Sequence, residues 1–166
     1  MSFVATQVAE FQKLVGLRVV DWHGVEMALR EWGPDGLPSF MEPSVPFLQL
    51  LVLHARLELD EQLEISTYQN NDNWGLMLTR LPSSSGFRAD HEGIFRTRSL
   101  AELPSGSIDS VQVFRDFAGD IERINLVVAG SFLSLIAGEV YENPDGSLQV
   151  QVGGDESVLV QIGAGA

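Results

Sequence analysis

Hydrophobic side chains recur at three- and four-residue spacing in the first stretch of the chain: Phe3, Val4, Val8, Phe11, Leu14 and Val15. That period puts them on one helical face. Ser2 stands where an N-cap would, and Gly16 where helices commonly end. The pattern predicts an amphipathic helix over residues 3–15.

After Gly16 the period changes to two. Residues 17–22 are rich in β-branched side chains, and Val25, Met27 and Leu29 alternate with Glu26, Ala28 and Arg30. This reads as strand, with a helix over 24–32 as the competing reading. Gly33-Pro34-Asp35-Gly36 signals a turn, and the loop runs on through Pro38, Pro43 and Pro46. Residues 47–59 begin apolar on both faces. They then settle into alternation, with Leu53, Ala55, Leu57 and Leu59 on one side and His54, Arg56 and Glu58 on the other. A strand passing from a covered to a half-exposed region looks like this.

Further strands are expected at 63–68 and 74–81, around a polar turn at 69–73. A loop over 82–93 opens with Pro82-Ser83-Ser84-Ser85-Gly86, and a short strand follows at 94–98. From Ile108 the pattern becomes a meander, with strands at 108–117, 121–129, 132–141, 147–152 and 157–162. Its turns are Ala118-Gly119-Asp120, Gly130-Ser131, Asn143-Pro144-Asp145-Gly146 and Gly153-Gly154-Asp155. Turns at such regular spacing mark an antiparallel sandwich or barrel. The expected class is α+β: an N-terminal amphipathic helix packed on a curved, mainly antiparallel β-sheet. The sheet is a sandwich or partly open barrel of about 8–10 strands, in a single domain over residues 1–166.

Composition narrows the function. The chain has 166 residues, 45% of them hydrophobic, enough to bury a core without staples. It has no cysteine, which excludes disulfides, thiolate zinc sites, iron–sulfur clusters and cysteine nucleophiles. Ten basic against 23 acidic residues give a net charge of −13. Charge of that sign repels nucleic acid and anionic membranes and attracts a basic partner. Residues 1–15 lack the pattern of a secretory signal. The longest uncharged stretch, 124–138, is shorter than the roughly 20 residues of a membrane helix and has Gly130-Ser131 near its centre. It reads as two buried strands joined by a tight turn. A soluble, cytoplasmic protein is expected; the sequence assigns it no oligomeric state.

Catalytic motifs are sparse. His23, His54 and His91 are not spaced as metal ligands, and no metal or other cofactor is expected. His54 is placed to meet Glu58 on its own strand, and Asp90-His91-Glu92 forms a polar cluster in a loop. There is no GxSxG, GxGxxG or Walker sequence, and Ser83-Ser84-Ser85 reads as linker. Paired carboxylates are the one catalytic possibility left. Glu139 shares a strand face with Leu133, Leu135 and Ala137, where desolvation would raise its pKa and suit a general acid. The plainer reading is that the strand emerges into solvent there. Arg80, Arg88, Arg96 and Arg98 form the one basic island, a set suited to internal pairing.

Two binding surfaces remain. Asp116, Asp120 and Glu122 lie at one hairpin turn of the meander, and Glu142, Asp145, Asp155 and Glu156 at later ones. If alternate turns share an end of the sheet, Asp120 comes near Glu142 and Asp145, as an acidic rim for arginine or lysine. Separately, Tyr68, Asn70, Asn73 and Trp74 place amides around aromatic rings, as a carbohydrate or small-ligand site does.

The stretch 108–162 carries Val111-Gln112-Val113, Ile124-Asn125-Leu126-Val127-Val128, Leu133-Ser134-Leu135-Ile136-Ala137-Gly138-Glu139 and Asp155-Glu156-Ser157-Val158-Leu159-Val160. It resembles the C-terminal halves of small bacterial proteins encoded beside polymorphic or type VI secreted toxins, many of which act as immunity proteins. The resemblance implies an intracellular, non-enzymatic protein that blocks a cognate toxin by covering its active site. Immunity families share no catalytic motif, so no functional residue is carried over. The expected function is an immunity-like inhibitor that masks a basic protein partner, a secreted toxin, with an acidic surface. The alternatives are a carbohydrate- or small-ligand-binding β-barrel, and a hydrolase built on Glu139 and a second acid.

Overall fold

The computed structural model of the protein describes residues 1–82 and 87–163. The expected linker at Ser83-Ser84-Ser85 lies outside the described residues. One helix, α1 (Phe3–Gln12), precedes eleven strands: β1 (Arg18–Met27), β2 (Leu48–Leu57), β3 (Gln62–Asn70), β4 (Asn73–Leu81), β5 (Asp90–Glu92), β6 (Phe95–Ser99), β7 (Gly106–Arg115), β8 (Ile121–Val128), β9 (Ser131–Glu142), β10 (Leu148–Val152) and β11 (Ser157–Ile162). No helix among the described residues is long and apolar enough to cross a membrane.

The helix is capped as its sequence predicts: the Ser2 side chain accepts from the Ala5 N–H. It stops at Gln12, because residues 13–16 tighten into a turn that ends on Gly16 at φ +90°. The 24–32 helix does not form, since β1 runs straight through Gly24. A side chain at Gly24 would strike the Val52 carbonyl of the neighbouring strand at 2.8 Å.

The sheet closes on itself. Strands β2, β11, β9, β8, β7 and β1 follow one another by antiparallel pairing, and β1 pairs back to β2. The expected sandwich or partly open barrel is thus a closed six-stranded barrel with extra strands. Those extras arise where a long strand outruns its neighbour. Strand β2 pairs with β11 through residues 48–50 and with β3 through 53–56. Strand β1 meets β7 at Arg18 and Val19, then β6 from His23 onward. Strand β9 pairs with β8 up to Ile136 and with β10 from Gly138. Residues 90–92, expected in a loop, form the edge strand β5 on β6.

The main core fills the barrel and extends beneath the β3–β4 hairpin. Helix α1 packs on both β7 and β4, burying Phe11. Its Gln7 side chain accepts the Leu78 N–H of β4 at 2.7 Å, so the helix covers an edge that has no strand neighbour. A second, smaller core lies across β9 and β11, where Ile136, Val140 and Leu159 meet Leu29 and Val45 of the 28–47 loop. Strand β9 is therefore buried on both faces from Leu133 to Gly138, which accounts for the lack of charge in that part of 124–138. Arg30 pins the loop: it donates to Glu42 at 2.5 Å, Glu142 at 2.9 Å and the Gly146 carbonyl at 2.5 Å.

Two local expectations fail. Leu59 does not continue the apolar face of β2; the chain turns at φ +66° and leaves it exposed. His54 does not meet Glu58 but bonds Glu64 on adjacent β3 at 2.9 Å. Cross-strand neighbours are closer than positions four apart on one strand.

Candidate functional site

Three turns meet at one end of the molecule: β3–β4, β7–β8 and β10–β11. The β7–β8 turn is locked by its own bonds. The Asp116 N–H donates to the Asp120 carbonyl at 2.8 Å, the Asp120 N–H to Asp116 Oδ1 at 3.0 Å, and Arg115 Nε to the Gly119 carbonyl at 2.7 Å. Locking the turn leaves Phe117 fully exposed at its tip and turns the Asp120 side chain inward.

Asp120 is only 1% exposed. Its carboxylate accepts from Tyr68 Oη at 2.6 Å, from Asn73 Nδ2 at 2.7 Å and from Asn70 Nδ2 at 3.2 Å. Asn73 Nδ2 also donates to Asp116 at 2.8 Å. The period of two explains the convergence. Tyr68 and Asn70 share a face of β3, and their partners across the hairpin are Gly75 and Asn73. The phenol lies over Gly75, where a Cβ would come within 2.7 Å of Tyr68 Oη. Phe3 of α1 then meets the Tyr68 ring edge-on at 4.9 Å. Burial pushes the Asp120 pKa up, but the bonds from Tyr68, Asn73 and Asn70 outweigh it and hold the carboxyl below its usual range. Burial, then the bond to Asp120, drives the Tyr68 hydroxyl well above its ordinary value.

Above this suture opens a cleft of about 760 Å³. Asn70, Asn71, Asp72 and Asn73 line one side, Asp116, Phe117, Ala118 and Glu122 another, and Gln151, Val152, Gly153 and Gly154 the third. The glycine pair is required there. Both have positive φ, and a Cβ would come within 2.1 Å of Glu122 at Gly153 and 2.7 Å of Asn73 at Gly154. No lysine, arginine or histidine lines the cleft. Neither Asp72 nor Glu122 has an ion-pair partner among the described residues. Carboxylates and amides facing an open concavity suit a cation or a polyhydroxyl group.

The two surfaces expected separately, the acidic turn and the amide hairpin, thus come together in part. Asp116, Glu122, Asn70 and Asn73 line one cleft, while Tyr68 and Asp120 lie behind it as scaffold. Asp120 is corrected from a surface contact to a buried support. Trp74 leaves the group, because it follows Asn73 by one position and points to the opposite face. It lines a separate groove of about 390 Å³ with Glu64, Thr67 and Glu156. Glu142 and Asp145 do not join Asp120. Strand β9 continues four residues past Gly138 with β10 beside it and carries that hairpin beyond the start of β8. There Glu142 pairs with Arg30, and Asp145 accepts from the Ser147 N–H and hydroxyl; the hydroxyl bond foremost holds its carboxyl below the usual range. Asp155 accepts from the Tyr141 hydroxyl.

Glu139 is half-buried and accepts from the Ser157 hydroxyl. Burial raises its pKa, and the charges of Asp155 and Glu156 add to that against the Ser157 bond. No group of three or more histidine or carboxylate side chains among the described residues is arranged to hold a metal. The expected pairing of the basic island holds for three arginines: Arg80 with Glu61, and Arg96 and Arg98 with Glu26.

Phe117, Gln151 and the Gly153-Gly154 pair were not singled out in the sequence. A large apolar residue inside the otherwise polar turn Asp116-Phe117-Ala118-Gly119-Asp120 was the available signal. Comparison with protein-family models, with curated proteins and with solved structures finds no match for the chain.

Proposed function

We propose that the protein is a non-enzymatic binding protein that takes a basic protein partner at the three-turn end of its barrel, and that it works as a cytoplasmic immunity-type inhibitor covering a basic toxin. The observation that carries this reading is the cleft. It holds carboxylates and amides with no cation among them, on turns locked by their own hydrogen bonds, beside one fully exposed phenylalanine. The rigid acceptors suit an arginine or lysine side chain. Phe117 supplies the kind of aromatic anchor on which binding energy concentrates. The net charge of −13 speeds encounter with a basic surface.

The test is affinity capture of a basic partner from the native cells at low and high salt, followed by stopped-flow and calorimetric titration against that partner. A 1:1 complex is expected, with an association rate that falls as salt rises. Phe117→Ala and the pair Asp72→Asn, Glu122→Gln should each weaken it by at least about tenfold. A salt-independent rate together with unchanged affinity in both variants would sink the reading.

The amides Asn70, Asn71, Asn73 and Gln151 around Phe117 favour one second reading, a carbohydrate site in the same cleft. Calorimetry with a panel of mono- and disaccharides decides it: heat that disappears in Phe117→Ala supports the sugar site, and no heat from any sugar removes it.

A further inference from the structure

A second polar region lies on the outer face of β1, β2 and β3, apart from the acidic cleft. Most of its members satisfy one another. Arg56 forks onto Asp21 at 2.6 and 3.2 Å, and His54 Nε2 bonds Glu64 at 2.9 Å. His23, paired across the strands with His54, does not share in this. It is 8% exposed, and its ring lies tilted against the His54 ring at 4.9 Å and that of Phe87 at 4.8 Å. No hydrogen-bond partner reaches its nitrogens among the described residues.

His23 lines a pocket of about 240 Å³ together with His54, Thr97 and Arg88, walled by Phe87 and Leu81. Arg88 makes no ion pair or hydrogen bond among the described residues, whereas Arg80, Arg96 and Arg98 are all engaged. The pocket therefore gathers donors that have no partner among the described residues, the Arg88 guanidinium, the Thr97 hydroxyl and the His23 imidazole, with the Gln62 amide also in its lining. No carboxylate lines it, and Asp21 and Glu64 on the same strands are held by Arg56 and His54. Its apolar lining is Val25, Leu81 and the Phe87 ring, which lies against His23. A dry cavity of about 150 Å³ accepts a benzene ring, so this space suits one ring with a small substituent.

We infer that this pocket binds a small aromatic carboxylate, its anionic group on Arg88 and His23 and its ring against Phe87. Burial, then the charge of His54, lowers the His23 pKa in the empty pocket. The imidazole is thus left neutral, with an N–H to donate. Asp21, Glu64, Arg56, His54 and Arg88 are the charged or titratable groups around it, and of these only Arg88 has no hydrogen bond or ion pair among the described residues.

The 166-residue chain can be titrated with benzoate, acetate and benzamidinium, followed by calorimetry and by histidine ring resonances in NMR spectra. Benzoate should bind saturably and shift the His23 signals. Acetate should bind at least about tenfold more weakly for lack of the ring, and benzamidinium, of the same shape and opposite charge, should not compete. Arg88→Gln and Phe87→Ala, both exposed positions, should each weaken benzoate at least about tenfold with the fold unchanged. Absence of benzoate binding, equal affinity for acetate, or undiminished binding in Arg88→Gln would each overturn the assignment.

Discussion

Asp120 and Glu26 are both sealed from solvent, at 1% and 0% exposure, yet their surroundings differ in kind. Asp120 is held by neutral donors, one phenol and two amides. Glu26 is held by cations: Arg96 Nε at 2.7 Å and Arg98 Nε at 2.8 Å, both on Oε1, while Oε2 has no hydrogen-bond partner among the described residues. Arg96 in turn sits 4.1 Å over the Phe40 ring, and Arg98 forks onto Glu102. Glu26 is a staple, its charge cancelled where β1, β6 and the 28–47 loop meet. Asp120 keeps its negative charge beneath the cleft while its geometry is fixed. Burial alone does not mark a carboxylate as part of a site; the charge of its donors separates the two cases.

The sharpest way to break this contrast is to remove each carboxylate. Glu26→Ala strands two arginines and should destabilise by about 3–5 kcal/mol in urea unfolding. Replacing Glu26, Arg96 and Arg98 together by apolar residues of similar size should recover most of that loss; failure to recover it would mean the trio does more than neutralise itself.

Asp120→Asn loses charge-assisted bonds and should cost about 2–3 kcal/mol at neutral pH. The sign with pH follows from its lowered pKa. The contribution is present above the unfolded value, about 3.9, and fades as pH falls through the lower folded value. The gap between wild type and variant should therefore narrow below pH 4. A constant gap from pH 7 to pH 3 would refute the role given to the charge.

Gly75→Ala pushes a methyl into the Tyr68 ring and should cost about 1–3 kcal/mol. It should be markedly non-additive with Tyr68→Phe, since both act on one contact; simple additivity would show that the phenol reaches Asp120 without leaning on Gly75. The smallest effect belongs to Glu139→Gln. A raised folded pKa gives stability that is present below about pH 4.3 and lost as pH climbs through the folded value. The variant should therefore match wild type in acid and exceed it by up to about 1 kcal/mol at pH 8.

The strands were legible because alternation is a local property. His54 and Arg56 against Leu53 and Ala55 fix the faces of β2 without knowledge of its neighbours. Closure was not legible, because alternation says which face is buried and not which strand lies alongside. The junctions where β2, β1 and β9 change partners leave no mark in composition. For the site, the hairpin amides and the acidic turn were each visible, but their meeting was not. Nothing around Asp120 announces donors some 50 residues away in Tyr68 and Asn70. The exclusion of Trp74 could have been read, since Asn70 and Asn73 oppose each other across the tip and the next residue must face the other way. The misplacement of Glu142 and Asp145 came from assuming that alternate turns share an end of the sheet, when β9 changes partner from β8 to β10 and carries its turn further out.

The pairing of β11 with both β2 and β9 has a consequence for how the molecule is assembled. Leu50 and Val158, partners in that ladder, are separated by more than a hundred residues of chain, and among the described residues no other strand pairs with both β2 and β9. Until β11 inserts, both of those strands present an open edge, and the apolar interior between them lies accessible to other chains. Folding of this barrel is thus a race between one late, long-range insertion and association of unfinished molecules. A chain cut before residue 157 would lose that race, even with every other strand intact.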